Sequence, residues 1–144
     1  MQAIILAGGE GTRLRPLTDS VPKPMLPVMN RPMLCHIINL LKKHGVTDIA
    51  MTLCYRPETI REYFGDGSRF GVHLTYFTEK EPLGTAGSVK LAERFINGTF
   101  LVISGDAVTD VDLSAAANFH ARKGADATLV LSSSENPLEY GAVI

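Results

Sequence analysis

The sequence predicts an α/β fold with a mostly parallel sheet. Three observations predict it. Short apolar β-type runs alternate with segments of helical periodicity, those runs end in glycine-containing polar turns, and no repeat or low-complexity stretch breaks the alternation. A chain of 144 residues is the size of one domain and can bury a core. Apolar residues make up 45% and charged residues 20%, an ordinary globular balance. The net charge of −1 gives no global attraction to nucleic acid or to an anionic membrane.

Taken in order, Gln2 to Leu6 reads as a buried parallel strand ending abruptly in Ala7-Gly8-Gly9. This opening run follows no basic stretch and is too short for a signal peptide or a membrane span, so the cytoplasm is the expected compartment. A long loop follows, punctuated by Pro16, Pro22, Pro24, Pro27 and Pro32. Met33, Ile37, Leu40 and Leu41 recur at helical spacing, and Gly45 stops that helix. Asp48 to Leu53 is the second strand, and Pro57, at a first helical position, opens a helix through Phe64. Val72 to Phe77 alternates like a third strand, and Thr85 to Phe95 has helical character just past Gly84. Phe100 to Ile103 is the fourth strand, ending in Ser104-Gly105-Asp106. Asp112 suits the cap of a helix running to about Lys123, with Gly124 after it. A fifth strand is expected at Ala127 to Leu131, and a sixth begins at Tyr140. The last residues, Gly141 to Ile144, are apolar and carry no cap, turn or polar tail, which reads as a fragment of a longer domain.

Cys35 and Cys54 show no C-x-x-C pairing and read as buried, reduced thiols. His36, His44, His73 and His120 are scattered, without metal-ligand spacing, and read as packing or surface residues.

Four segments carry chemistry. The first is Leu6-Ala7-Gly8-Gly9-Glu10-Gly11-Thr12-Arg13-Leu14-Arg15-Pro16-Leu17-Thr18. Glycines after a buried strand let backbone N–H groups approach an anion. A dinucleotide fingerprint fails here at Leu14, and a Walker A loop fails at Arg13-Leu14. Across the first 31 residues Arg13, Arg15, Lys23 and Arg31 outnumber Glu10 and Asp19 by two charges, which suits a polyphosphate. The second segment, Val21-Pro22-Lys23-Pro24-Met25, holds a lysine on a stiff, extended stretch between prolines. In the third, Asp106 follows a glycine at the carboxyl end of a parallel strand, a suitable place to hold Mg²⁺. Asp110 reads as solvated. The fourth is Glu79-x-x-x-x-Gly84-Thr85-Ala86-Gly87, entering a helix whose N-terminus can face an anion. All four fall at one edge of the sheet, where open α/β sheets bind ligands.

In this order, the glycine loop, Pro22-Lys23-Pro24, Gly84-Thr85-Ala86 and Gly105-Asp106 closely resemble the sugar-nucleotide pyrophosphorylases over essentially the whole chain. The resemblance implies a Rossmann-like nucleotidyltransferase fold, three-layer α/β/α with a mixed sheet, of which residues 1–144 are the N-terminal nucleotide-binding part. It implies condensation of a nucleoside triphosphate with a sugar 1-phosphate, releasing pyrophosphate. By position, Leu6, Ala7, Gly8, Gly9, Gly11 and Thr12 would wrap the nucleotide, with Gly84 and Thr85 completing its site. Arg13 would neutralise the leaving pyrophosphate, Lys23 would contact the reacting phosphates, and Asp106 would bind Mg²⁺. Gly141 would lie at the start of the sugar pocket, and the second metal carboxylate would lie further along. The resemblance also admits a homo-oligomer and downstream domains, of which a β-helix or a sugar-phosphate mutase domain would suit the family.

Glu79 bears on the base. Uridylyl- and thymidylyl-transferring members of the family commonly hold Gln five residues before this glycine. An ionised carboxylate only accepts hydrogen bonds, and guanine offers two adjacent donors, so GTP is favoured. The surrounding Glu79-Lys80-Glu81-Pro82-Leu83-Gly84-Thr85-Ala86-Gly87 is similar to mannose-1-phosphate guanylyltransferases, as is Glu135 to Gly141. The reading is therefore GDP-mannose formation from GTP and mannose 1-phosphate. Uridylyl or thymidylyl transfer to glucose 1-phosphate is the alternative, and a non-catalytic nucleotide- or sugar-nucleotide-sensing module is the alternative of another class.

Overall fold

The computed structural model describes residues 1–133. Its strands are β1 (Gln2–Leu6), β2 (Pro27–Val28), β3 (Arg31–Pro32), β4 (Asp48–Leu53), β5 (His73–Thr78) and β6 (Phe100–Ser104). Its α-helices are α1 (Met33–Lys43), α2 (Pro57–Phe64), α3 (Gly84–Leu91) and α4 (Leu113–Lys123). The first compact unit is Met1–Val111, and a second begins at Asp112.

In the first unit β5, β4, β1 and β6 form one sheet in that order, every neighbouring pair parallel. A parallel sheet must be covered on both faces, and its central strands carry apolar residues on both faces for that reason. Ala3, Ile4 and Ile5 of β1 and Ile49, Ala50 and Met51 of β4 are fully buried. Ile4 and Ala50 share a cluster with Ala92, against which Val89, Phe77, Phe95 and Phe100 pack. By strand alternation Ala3, Ile5, Ile49 and Met51 point to the other face. α1 buries Leu34, Ile37, Ile38 and Leu41, a stripe at helical spacing. Truncating one such leucine to alanine costs about 2–5 kcal/mol.

Register decides where the loops meet. Leu6 is level with Thr52 of β4 and Ser104 of β6, so three strands end together. The chain crosses there at close range. The Gly105 N–H donates to the Leu6 carbonyl at 2.7 Å, and the Ala7 N–H donates to Thr52 at 2.9 Å. A Cβ on Gly105 would stand 2.9 Å from the Leu6 oxygen, so only glycine fits that approach.

β1, β4 and α2 run over the expected residues, and Asp112 caps α4 by accepting from the Ala115 N–H at 2.9 Å. β5 begins one residue later than expected, at His73. α3 ends at Leu91 instead of Phe95. Glu93–Phe95 tightens into a 3₁₀ turn, as the Phe95 N–H bonds three residues back to Ala92 and the Ile96 N–H to Glu93. No strand forms at Ala127 to Leu131. An apolar run alone makes no strand, and Leu129, Val130 and Leu131 stand exposed, without a ladder partner among the described residues. The expected strand at Tyr140 lies outside the described residues. Cys35 is buried and Cys54 only half-buried, and both are free thiols whose pKa burial raises. Among the described residues no helix is long and apolar enough to cross a membrane.

Candidate functional site

The loop after β1 holds its shape through one glycine and one buried threonine. Gly11 takes φ +67°, and a Cβ there would stand 2.8 Å from the Lys23 Cβ. Thr18 is buried, and its hydroxyl donates to the Gly11 carbonyl at 2.9 Å. Thr12–Leu14 makes a 3₁₀ turn between them, which carries Arg13 to the surface.

Lys23 departs from the expected extended stretch. Pro22 is extended, but Lys23–Met25 forms a 3₁₀ turn, anchored by the buried Pro24 and Met25. Proline stiffness still holds the lysine in place, and the turn aims it across the sheet end. Its Nζ donates to Asp106 Oδ2 at 2.7 Å, and the Ser104 hydroxyl donates to Asp106 Oδ1 at 2.5 Å. Desolvation pushes the Asp106 carboxyl pKa up. The hydrogen bonds from Lys23 and Ser104 and the lysine's charge outweigh it, leaving the pKa below the ordinary value. A depressed folded pKa means that this bridge contributes stability above the ordinary carboxylate range and loses it as pH falls through the depressed value.

Glu79 follows β5 and is buried, 6% exposed. Its backbone N–H donates to Leu53 at 2.7 Å, and its Oε2 accepts from the Leu83 N–H at 3.1 Å. Its Oε1 is buried without a hydrogen-bond partner among the described residues. An orphaned acceptor of this kind costs about 1–3 kcal/mol and invites a donor from a ligand. α3 starts at Gly84, where φ is +69°, and the Ser88 hydroxyl holds the Gly84 carbonyl at 2.6 Å.

These pieces line one cleft of about 490 Å³, within the size range of small-molecule sites. Leu6, Ala7, Gly8, Gly9, Gly11, Thr12, Arg13, Lys23, Glu79, Gly84, Thr85 and Asp106 all border it. The structure thus brings together every site residue expected within 1–133. Gly141 lies outside the described residues. Leu14, Pro24, Pro82, Ser88 and Ser104 also line the cleft and were not expected there. Leu14, Pro24 and Pro82 fall inside the segments singled out in the sequence, and Ser104 is the last strand residue two before Asp106; Ser88 carries no such signal.

Among the described residues no group of three or more His, Cys, Asp or Glu side chains could hold a metal ion. Asp106 with the Ser104 hydroxyl nevertheless fits Mg²⁺. That ion is commonly bound by one or two carboxylates and completed by substrate phosphates and water.

The sequence model of the family described as Nucleotidyl transferase matches residues 2–144. The chain is 42% identical over 151 aligned residues to the mannose-1-phosphate guanyltransferase of Saccharomyces cerevisiae. It is 43% identical to that of Kluyveromyces lactis. Both matches cover 100% of this chain and 41% of the relative, so the chain spans about two fifths of these relatives' length. Among solved structures, a Bacillus anthracis protein provisionally assigned as a glucose-1-phosphate thymidylyltransferase superposes with TM-score 0.79 at 33% identity, over 85% of this chain and 50% of that one. HddC from Yersinia pseudotuberculosis complexed with GMP-PN superposes with TM-score 0.74 at 32% identity, over 83% and 53% of the two chains.

Proposed function

The chain belongs to the nucleotidyl transferase family, and on that premise we propose that it supplies the nucleotide side of an enzyme that joins GTP to mannose 1-phosphate, giving GDP-mannose and pyrophosphate. One observation carries the reading. One cleft is lined both by Lys23 and Asp106, the latter just after β6, and by Glu79, just after β5 at the opposite edge of the sheet. That spacing of charge suits a nucleotide with its phosphates on Lys23 and its base on Glu79. The mannose-1-phosphate guanyltransferase relatives and the neighbour bound to GMP-PN support guanine.

In the proposed reaction a phosphate oxygen of the sugar phosphate attacks the α-phosphorus. The new O–P bond forms as the bond from that phosphorus to the bridging oxygen breaks, and the electron pair leaves with pyrophosphate. The attacking oxygen is already ionised at neutral pH, so no side chain need take a proton. What remains for the protein is bringing anions together with fixed donors and cations. Glycine-loop N–H groups and Thr12 would cradle the phosphates, Lys23 would turn from Asp106 to the reacting group, and Arg13 would offset the charge on pyrophosphate. Asp106, with Ser104 beside it, would hold Mg²⁺, whose charge offsets that of the phosphate oxygens. Glu79 would accept from guanine, and Gly84 and Thr85 would close the nucleotide side. The sugar side, beginning at Gly141, and a cytoplasmic setting belong to the same proposal.

Pyrophosphate release by the full-length protein carrying this chain tests it. Turnover is expected with GTP and mannose 1-phosphate. Release only with UTP or dTTP and glucose 1-phosphate would overturn the base reading. A folded protein releasing none on any pair would overturn the enzymatic one.

A further inference from the structure

Immediately after β4, Tyr55 and Arg56 grip the glycine loop from outside the cleft. The Tyr55 N–H donates to the Gly8 carbonyl at 3.3 Å, at the loop's start. The Tyr55 hydroxyl lies 3.0 Å from both the Thr18 and the Asp19 carbonyl oxygens, at the loop's end, and its one hydrogen is shared between them. Arg56 Nη2 donates to the same Asp19 carbonyl at 3.0 Å, and its Nε donates to the Tyr55 hydroxyl at 3.1 Å. The guanidinium carbon also stands 5.6 Å from the Tyr55 ring centre.

Neither residue borders the cleft. Arg56 nonetheless takes a left-handed backbone, φ 45° and ψ 54°, which a non-glycine residue adopts at a cost. That conformation accompanies the arginine's reach back to Asp19. Inside the loop Thr18 already ties to Gly11, so the clamp and this tie fix the span Gly8 to Asp19 at both ends. Orientation follows from peptide planarity. Holding the Gly8 carbonyl toward Tyr55 turns the Gly9 N–H to the opposite side, and Gly9 borders the cleft.

From this we infer that Tyr55 and Arg56 are positioning residues for the phosphate-binding loop: they pre-order its backbone donors for the triphosphate without touching the nucleotide. The inference rests on the nucleotide reading of the cleft. A tyrosine serving only to stabilise the loop would affect the melting temperature and all ligands alike. A positioning pair affects the phosphate part of the ligand selectively.

The test measures calorimetric binding of GTP and of guanosine, each with Mg²⁺, to the wild-type chain, Tyr55→Phe and Arg56→Gly. UTP and uridine run in parallel, so that a different base preference is not mistaken for a lost clamp. Tyr55→Phe keeps the ring and loses the hydroxyl. Arg56→Gly keeps the left-handed backbone and loses the side chain. Each is expected to weaken triphosphate binding about five- to tenfold, the worth of one or two hydrogen bonds, while nucleoside affinity changes less than twofold. Unchanged triphosphate affinity in both variants would overturn the clamp, as would equal losses for triphosphate and nucleoside. A wild-type chain that binds no nucleotide would overturn the nucleotide reading, and the clamp with it.

Discussion

At one end of the cleft Lys23 and Asp106 neutralise each other at 2.7 Å, while at the other Glu79 is buried with one oxygen that meets no donor. The proposed phosphate end is satisfied internally. Lys23 and Ser104 occupy both Asp106 oxygens, and Arg15 bridges Glu10 and Asp19, each at 3.5 Å. On the proposed reading a polyphosphate and a metal ion would rearrange that wall, because Lys23 and a divalent cation would compete for the same carboxylate. The proposed base end keeps one unsatisfied carboxylate oxygen, which a guanine donor would fill. On that reading affinity for charge would be an exchange of partners, and selectivity for the base the filling of a gap. Mutations at the two ends should differ in kind.

The largest effect is expected at the phosphate end. Asp106→Ala should lower turnover of the full-length protein by about a thousandfold or more, the scale of losing metal-assisted charge stabilisation. The fold should survive with a modestly lower melting temperature, since Asp106 lies outside the core but gives up its bonds to Lys23 and Ser104. Near-normal turnover would remove Asp106 from the mechanism. Lys23→Met sharpens the exchange argument. Turnover should fall by about a hundredfold or more through lost charge stabilisation. Mn²⁺ affinity in the absence of nucleotide, read by electron paramagnetic resonance, should rise several-fold as Asp106 is released. Weaker Mn²⁺ binding in this variant would mean that Lys23 does not compete with the metal. Glu79→Gln, at the base end, should leave turnover with GTP within an order of magnitude. It should narrow the preference for GTP over UTP by about tenfold, the scale of one mismatched buried hydrogen bond. An unchanged preference would assign base reading to the backbone.

The same contrast separates what is legible in the sequence from what is not. Central strands such as β1 and β4 are legible because they are apolar on both faces. α2 is legible because Pro57 starts it and Gly65 follows its end. The hairpin of β2 and β3 was not. Its ladder is two residues long, and its turn places Met29 and Asn30 at positive φ with no glycine to signal it. Chemistry-bearing residues stood out by type and by position at strand ends, so the cleft's inventory was legible. Their couplings were not. The Lys23–Asp106 bond spans 83 positions, and the Tyr55 clamp spans 37, at separations where only the register of β1, β4 and β6 decides what meets. The apolar run from Ala127 to Leu131 shows the converse, a strand-like pattern whose outcome depends on a partner that local sequence does not contain.

The central claim is that this cleft binds a guanine nucleotide, and the thermal melt of the chain with Mg²⁺ and GTP, ATP, CTP, UTP or dTTP in turn tests it most directly. At a hundred times its dissociation constant GTP should stabilise the fold by about 2.7 kcal/mol and raise the midpoint by about 5–10 °C, with smaller shifts from the others. A cooperative melt that no nucleotide moves would contradict the claim. A shift confined to UTP or dTTP would keep the nucleotide site and overturn guanine.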